Sequence, residues 1–148
     1  MSSTHLSLHC HIIFGTKHQR PLIASDWRPR FHAYLGGAVR ALDAIPEAVG
    51  GIADHVHLLI GFSATQRLSD IMRDVKRSSS AWVHDTIGDR QFEWQDGYGA
   101  FSVSASLLEK VKQYIANQEE HHRKKTFQEE YLELLKSSGV EYDERYLW

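Results

Sequence analysis

Two histidines separated by one residue, His55 and His57, are the first side chains in this sequence that could do chemistry together. They begin an apolar run that favours a β-strand, and alternation along a strand would point both imidazoles to one face, roughly 6.5–7 Å apart. At that distance both rings can lean onto one metal ion, and the preceding Asp54 could orient one of them through a hydrogen bond. Two strand histidines on a solvated face would give the same pattern, so the rest of the chain must decide.

A second pair with the same spacing, His9 and His11, competes with the first. It lies in residues 5–14, where apolar and polar side chains alternate as they do in a half-buried strand. We expect the histidines of this strand on its exposed or ligand-facing side, opposite the apolar side chains.

The third candidate is Tyr114 with Gln118, four residues apart in a segment of helical periodicity. Ser106 and Glu109 fit a capping box that would begin this helix, and the spacing then places Tyr114 and Gln118 on one face, one turn apart. Taken alone, Tyr114 is best interpreted as a boundary residue with its hydroxyl in water. If the helix packs against the first histidine pair, the two residues instead supply a nucleophile and a third metal ligand.

The elements that must position these side chains follow the order β-α-β-β-α-β, with an extra strand and two further helices. Sequential hairpins combined with two helices predict an antiparallel sheet with helices on one face, which is the α+β class. The strands are expected at 5–14, 47–52, 55–62 and in two short pieces within 92–104, and the helices at 26–43, at 66–87, from Ser106, and from Thr126 to about Lys136.

Two smaller features predict close contacts. Gly50 and Gly51 lie in the hairpin that leads to the first histidine pair, and they permit a bulge or a close backbone approach. Tyr142, Tyr146 and Trp148 predict that the last residues dock on a surface.

Length and composition are those of a globular chain, with 148 residues, 42% of them hydrophobic and 24% charged. We expect one domain over residues 1–148, and no stretch approaches the ~20 consecutive apolar residues of a membrane span. A single cysteine, Cys10, and a first segment without a basic and apolar leader favour a cytoplasmic protein.

The net charge of −2 does not single out a nucleic-acid-binding protein, but the charge is unevenly distributed. Residues 1–92 hold ten Lys and Arg against eight Asp and Glu, whereas residues 93–148 hold seven against eleven. The basic side chains that could hold a phosphate are Lys17 and Arg20 after the first strand, and Arg73, Lys76 and Arg77 on the second predicted helix. A solvated loop, and a helix face paired with neighbouring aspartates, are the alternative interpretations.

Together these residues resemble the single-tyrosine HUH transposases of the bacterial insertion-sequence 200-like family, relatives of the REP-associated tyrosine transposases. His55-Val56-His57 matches the His-hydrophobe-His signature, and Tyr114 with Gln118 matches the single tyrosine and the glutamine on the same helix. Further matches extend the resemblance over most of the chain, at residues 11–14, 16–21, 94–102 and 142–148.

The resemblance implies a divalent metal ion, Mg²⁺ or Mn²⁺, held by His55, His57 and Gln118, whereas His11 matches a non-catalytic position. Ligand type alone would favour Zn²⁺ or Mn²⁺ before Mg²⁺. Tyr114 would attack the phosphorus and form a 5′-phosphotyrosine with release of a 3′-hydroxyl. Covalent attachment conserves the phosphodiester energy, so the strand could be rejoined to another end.

The resemblance also implies a ferredoxin-like sheet with the tyrosine on C-terminal helices, and a homodimer whose tyrosine helix can complete the partner's site. The substrate would be single-stranded DNA with subterminal hairpins, gripped by basic residues, and no membrane is involved. The candidates for these DNA contacts are Lys17, Arg20, Arg73, Lys76 and Arg77.

Two other functions remain compatible with the sequence. One is a non-catalytic regulator that keeps the fold and binds hairpin DNA, and the other is an enzyme that cuts repeated palindromes without mobilising itself. A phosphoesterase with two His-x-Ser/Thr motifs is disfavoured, because only one strong pair is present and its third residue is histidine.

Overall fold

The computed structural model describes residues 3–148, and a four-stranded antiparallel sheet lies at its centre. The strands are β1 (His9–Gly15), β2 (Ile45–Gly51), β3 (His55–Gly61) and β4 (Gly99–Ser102); the helices are α1 (Arg28–Ala41), α2 (Leu68–Trp82), α3 (Leu108–Ala116), α4 (Gln118–His121) and α5 (Phe127–Ser137). The spatial strand order is β2-β3-β1-β4. Together with the chain order, it confirms the predicted β-α-β-β-α-β core and the ferredoxin-like α+β fold.

One face of the sheet packs against α1 and α2 around a buried apolar core. Alternate side chains of the two central strands point into this core, and helical positions three or four residues apart supply the opposing surface. Its members include Ile12, Phe14, Val56, Leu58 and Ile60 from the sheet, and Phe31, Leu35, Val39, Ile71, Met72 and Val75 from the helices. The intervening residues of β1 and β3, among them His11, His55 and His57, must therefore point to the opposite face.

The C-terminal helices cover that opposite face, so the sheet carries α1 and α2 on one side and the tyrosine-bearing region on the other. Ile13 of β1 packs there with Phe127, Tyr131 and Leu135 of α5. His11 is only 6% exposed, because this layer lies over it. His11 is therefore buried and not on an exposed side of β1.

A glycine lets α3 approach the sheet closely. A Cβ atom on Gly50 would lie 2.7 Å from Cγ2 of Ile115, and nearer still to its carbonyl oxygen. The predicted close approach is therefore present at Gly50. The bulge of the hairpin lies elsewhere, between Pro46 and Ala48.

The two predicted capping boxes have different outcomes. Thr126 caps α5 as predicted, since its Oγ1 accepts a hydrogen bond from the Glu129 backbone N–H at 3.1 Å and the Glu129 side chain returns to Thr126. Ser106 does not cap α3, because a 3-10 turn over Ala105–Leu107 delays the helix until Leu108. The hydroxyl of Ser106 instead lies 3.1 Å from that of Ser104.

The extra strand predicted before β4 is reduced to one isolated bridge between Thr16 and Trp94. The last residues dock as predicted through Trp148, whose ring centroid lies 6.1 Å from that of Phe127 and 5.8 Å from that of Tyr131. Tyr146 does not take part in this docking and is 80% exposed.

Within residues 3–148, none of the helices combines the length and apolar character needed to cross a bilayer.

Candidate active site

The predicted histidine pair lies in the middle of the sheet, beneath the C-terminal helices. His55 and His57 of β3 are both completely buried. In the antiparallel register, His57 is opposite Ile13 of β1 and Gly50 of β2. The solvated-face interpretation of this pair is therefore wrong, and the two imidazoles need partners inside the protein.

Three imidazole rings of this site are each held by a hydrogen bond at Nδ1. His55 Nδ1 lies 2.7 Å from Oδ1 of Asp54, and His122 Nδ1 lies 2.6 Å from the carbonyl oxygen of Lys125. Because carboxylate and carbonyl oxygens only accept, both Nδ1 atoms carry hydrogen. His57 Nδ1 lies 2.7 Å from Nε2 of His11. This arrangement directs the Nε2 atoms of all three rings towards one point.

The three Nε2 atoms converge on the carboxylate of Glu130. Its Oε1 lies 3.1 Å from Nε2 of His57, 3.1 Å from Nε2 of His122 and 3.3 Å from Nε2 of His55. One ligand atom from each of these four residues lies within 4.8 Å of the others. Ligands bound to one ion at about 2.0–2.2 Å are separated by similar distances, so this cluster could hold a divalent metal ion after small adjustments.

Gln118 reaches the same point from the first position of α4, because the chain leaves the helical conformation at Asn117; the prediction that Tyr114 and Gln118 lie on one helix is therefore wrong. Its Oε1 lies 3.0 Å from Nε2 of His55 and 2.9 Å from Nε2 of His122, and its amide nitrogen donates to Oε2 of Glu130 at 3.2 Å. The side chain is 1% exposed. The predicted grouping of Gln118 with the histidine pair of β3 is therefore present in the fold.

Tyr114 lies at the edge of this cluster and is half-buried. Its hydroxyl donates to Oε2 of Glu130, and Nε2 of His121 lies 3.5 Å away. Its ring meets that of His57 edge-on, with 5.7 Å between centroids. The hydroxyl is therefore hydrogen-bonded to a carboxylate. The solvated hydroxyl expected for Tyr114 taken alone is not observed.

Charge in the cluster lies on the Glu130 carboxylate and on the His55 imidazole. Burial alone would raise the pKa of Glu130, but hydrogen bonds from His122, His55 and His57 outweigh it and hold that pKa far below its usual range. Burial alone would lower the pKa of His55, but hydrogen bonds to Asp54 and Glu130 raise it to about 9. The pair Glu130⁻ and His55⁺ is therefore the stable charge state of the metal-free site near neutral pH.

His57 and the Tyr114 hydroxyl stay neutral, in both cases chiefly because of burial. Burial dominates at His57 and lowers its pKa to about 4. Burial, followed by the hydrogen bond to Glu130, raises the pKa of the Tyr114 hydroxyl above its ordinary value. Without a metal ion, Tyr114 is a protonated phenol and a weak nucleophile.

Sequence reasoning found four members of this cluster and missed two. His55, His57, Tyr114 and Gln118 come together as expected, whereas His122 and Glu130 were not identified. His122 had a usable signal, since it follows Gln118 by four residues as Gln118 follows Tyr114. Glu130 had none, because it stands in a run of acidic residues typical of an exposed helix face.

The five basic candidates do not form one cluster. Lys17, Lys76 and Arg77 line one shallow depression beside the loop over 93–97. Arg73 does not line this depression and pairs with Asp74 at 3.1 Å. Arg20 is exposed in the loop after β1.

Lys76 has a structural role in this depression. Its ammonium group donates to the carbonyl oxygens of Gln95, at 2.8 Å, and Gly97. Burial lowers its pKa to about 8. Lys17 lies 3.7 Å from Glu93 and is more accessible, as is Arg77.

A cleft of about 420 Å³ opens beside Gln118, between the β2–β3 hairpin, α1 and the α3–α4 junction. Its lining includes Arg28, His32, Asn117 and Arg123. Gln118 is the residue of the buried cluster that lines this cleft.

Comparison with known proteins identifies the family. The chain matches the family model described as "Transposase IS200 like" over residues 4–118, and it therefore belongs to the IS200-like transposase family. No match was found among curated proteins.

Solved structures share the fold. A candidate transposase from Deinococcus radiodurans R1 superposes with a TM-score of 0.66 at 20% identity, covering 80% of this chain and 95% of its own. A REP-associated tyrosine transposase bound to a REP hairpin superposes with a TM-score of 0.60 at 12% identity, covering 82% of this chain and 74% of its own. The family match ends at Gln118, so His122 and Glu130 lie beyond it.

Proposed function

We propose that this protein is a transposase that cuts and rejoins single-stranded DNA, with Tyr114 as nucleophile and a divalent metal ion, Mg²⁺ or Mn²⁺, held by His55, His57 and Gln118. The observation that carries the proposal is the position of the Tyr114 hydroxyl, which shares the carboxylate of Glu130 with the buried histidine pair. Family membership supports DNA as the substrate.

The metal ion and Tyr114 have separate roles in the proposed reaction. A bound divalent ion would act as a Lewis acid on the scissile phosphate and offset the charge that develops there. Tyr114 Oη forms a bond to phosphorus as the bond to the 3′-oxygen breaks, which leaves a 5′-phosphotyrosine and a 3′-hydroxyl. Attack on the phosphotyrosine by another 3′-hydroxyl reverses the step and joins a new pair of ends.

The fold already orients the imidazoles for this task. The Asp54 carboxylate and the His11 ring hold Nδ1 of His55 and His57, so that both Nε2 atoms face the site. Because the rings are buried and fixed, little ordering is needed when the ion and the substrate arrive.

For DNA recognition we propose a single-stranded substrate with subterminal hairpins, gripped through the basic candidates. A REP hairpin is bound by the REP-associated tyrosine transposase of similar fold, which supports this choice. Lys17 and Arg77 line one depression and Arg20 is exposed nearby in sequence, so these three suit phosphate contacts best. Arg73 would have to exchange its aspartate partners for phosphate, and Lys76 would support the loop beneath the DNA.

We further propose that residues 1–148 act as one catalytic domain in the cytoplasm, and that two copies form a homodimer. The rings of Tyr114 and His57 of the same chain are 5.7 Å apart between centroids, which supports cleavage in cis within this proposal.

The nucleophile is tested with labelled single-stranded DNA and Mn²⁺. The wild-type protein should form a covalent adduct that survives denaturing electrophoresis, and Tyr114→Phe should form none. Tyr146→Phe is the matched control, since Tyr146 is largely exposed. An adduct formed by Tyr114→Phe at the wild-type level would falsify the assignment, and a wild-type protein that binds hairpin DNA without cleaving it would favour the regulator.

A further inference from the structure

We infer that His122 and Glu130 complete a three-histidine, one-carboxylate metal centre with His55 and His57, and that the second oxygen of the same carboxylate positions Tyr114. This inference rests on the proposed function and specifies the ligands of its metal ion. Gln118 then lies beside the centre as a further oxygen donor.

His122 is oriented as a ligand rather than as a surface histidine. Its side chain is only 3% exposed, although it follows the short α4 in a polar segment. The carbonyl of Lys125 accepts from Nδ1–H, so Nε2 is the ring nitrogen that faces Glu130 and Gln118. Its ring centroid lies 4.5 Å from that of His55. A histidine that served only for packing would not need each ring nitrogen to face a specific polar partner.

Glu130 supplies the negative charge that three neutral imidazoles lack. A carboxylate with 1% exposure is costly to bury unless cations or several donors surround it. Here Oε1 faces the three Nε2 atoms, while Oε2 accepts from Tyr114 and from the amide of Gln118. A metal ion would replace the hydrogen bonds between Oε1 and the imidazoles and leave the contact between Oε2 and Tyr114 in place.

This geometry makes Glu130 a positioning residue for the nucleophile as well as a ligand. One rigid group then sets the distance between the metal ion and Oη of Tyr114. Three nitrogen donors and one carboxylate favour Mn²⁺, Co²⁺ or Zn²⁺ over Mg²⁺, which prefers oxygen ligands and keeps several waters.

The test is metal binding by the full-length protein, measured without DNA. Isothermal titration with Mn²⁺ and with Mg²⁺ gives the affinities, and the visible absorption spectrum of Co²⁺ reports the ligand set. We expect Glu130→Gln and His122→Gln each to weaken Mn²⁺ binding at least tenfold and to change the Co²⁺ spectrum. Wild-type protein should bind Mn²⁺ at least tenfold more tightly than Mg²⁺.

Two control variants and an assay of folding distinguish the loss of a metal ligand from the loss of charge and from unfolding. Glu133→Gln removes an exposed carboxylate from the same helix and should bind metal as the wild type does. Glu130→Asp keeps the charge but withdraws the carboxylate by one methylene, and it too should bind more weakly. Circular dichroism and thermal unfolding of each variant verify that it is folded.

The outcomes distinguish the inference from the proposed function. If Glu130→Gln and His122→Gln bind Mn²⁺ like the wild type while His55→Gln does not, both residues are hydrogen-bond partners only and the inference is overturned. If wild-type protein binds neither Mn²⁺, Co²⁺ nor Mg²⁺, the metal-dependent function itself is overturned.

Discussion

The carboxylate of Glu130 connects Tyr114 to His57, since one oxygen accepts the phenol hydroxyl and the other lies 3.1 Å from Nε2 of the imidazole. These residues come from α5, α3 and β3, and 73 positions separate Glu130 from His57. The link ties the candidate nucleophile to the histidine cluster through a single side chain. Its properties lead to several measurable expectations.

Removal of the buried carboxylate should destabilise the metal-free protein. In Glu130→Ala, the His55 imidazolium loses one of its two carboxylate partners, and Tyr114 and Gln118 lose their acceptor. Breaking a buried pair by removing one partner costs about 3–5 kcal/mol, and urea denaturation in the presence of EDTA would measure the loss. Glu133→Ala, at an exposed site on the same helix, should change the unfolding free energy by less than about 0.5 kcal/mol. Equal stabilities of the two variants would contradict this account of the charge.

The hydrogen bond between His11 and His57 should matter for metal affinity although His11 is not a ligand. In His11→Phe, Nδ1 of His57 loses its partner, so the orientation of the ring is no longer fixed. Loss of such a supporting contact typically weakens metal binding 10- to 100-fold, which titration with Mn²⁺ would show. His9→Phe is the paired control from the same strand, because His9 faces Glu47 at 3.7 Å and lies outside the cluster. Unchanged affinity in His11→Phe would mean that packing alone orients His57.

Replacement of Gly50 should destabilise the protein even when the new side chain is only the methyl group of alanine. In Gly50→Ala the new Cβ would collide with Ile115, which belongs to the helix that carries Tyr114. We expect a loss of about 1–3 kcal/mol in unfolding free energy, together with reduced formation of the covalent DNA adduct. Gly37→Ala offers the comparison, since a Cβ there meets nothing within 4 Å and alanine favours the helix. A Gly50→Ala protein with wild-type stability and activity would show that α3 can shift without consequence.

Metal binding should release a proton near neutral pH. His55 has a pKa raised to about 9 in the metal-free protein, so at pH 7 it carries a proton on Nε2 that an ion must displace. His57, with its pKa lowered to about 4, is already neutral and contributes none. Apparent affinity should therefore rise about tenfold per pH unit from pH 7 and level off above pH 9. Calorimetry at pH 7 in two buffers of different ionisation enthalpy would count the proton, and a count of zero would contradict this charge state.

The depression lined by Lys17, Lys76 and Arg77 leads to a separate prediction about DNA binding. Arg77→Ala and Lys17→Ala should each weaken hairpin binding and reduce the salt dependence of affinity by about one phosphate contact. Arg145→Ala, which removes an exposed arginine paired with Asp143 at 2.7 Å, should leave both quantities unchanged. Fluorescence anisotropy at several salt concentrations measures these effects. A uniform salt slope across all three variants would place the hairpin on another surface.

Much of the scaffold was predictable because its signals are local. Alternation in β1 and β3 separates the core residues from the histidines, and the Thr126 capping box sets the beginning of α5. The beginning of α3 was misjudged, because Ser106 satisfies the pattern of a cap while the backbone forms a 3-10 turn first. Local sequence could not distinguish these two conformations.

The composition of the site was only partly predictable because it depends on distant packing. His55, His57, Tyr114 and Gln118 have recognisable spacing, so their grouping could be expected. Glu130 is indistinguishable in sequence from its acidic neighbours, and only the docking of α5 on Ile13 turns its side chain inward. His11 is buried beside Tyr114 of α3 and Phe101 of β4, whereas the strand pattern alone left it either exposed or ligand-facing.

The placement of Phe127 has a consequence for the order of folding. Its ring stacks on His55 with 4.4 Å between centroids, and it also contacts Trp148 at the end of the sequence. Contacts between segments so far apart in sequence form late, after their loops have closed. The aromatic cover over His55 therefore forms only when α5 docks on the sheet, after the strands that carry the histidines have paired.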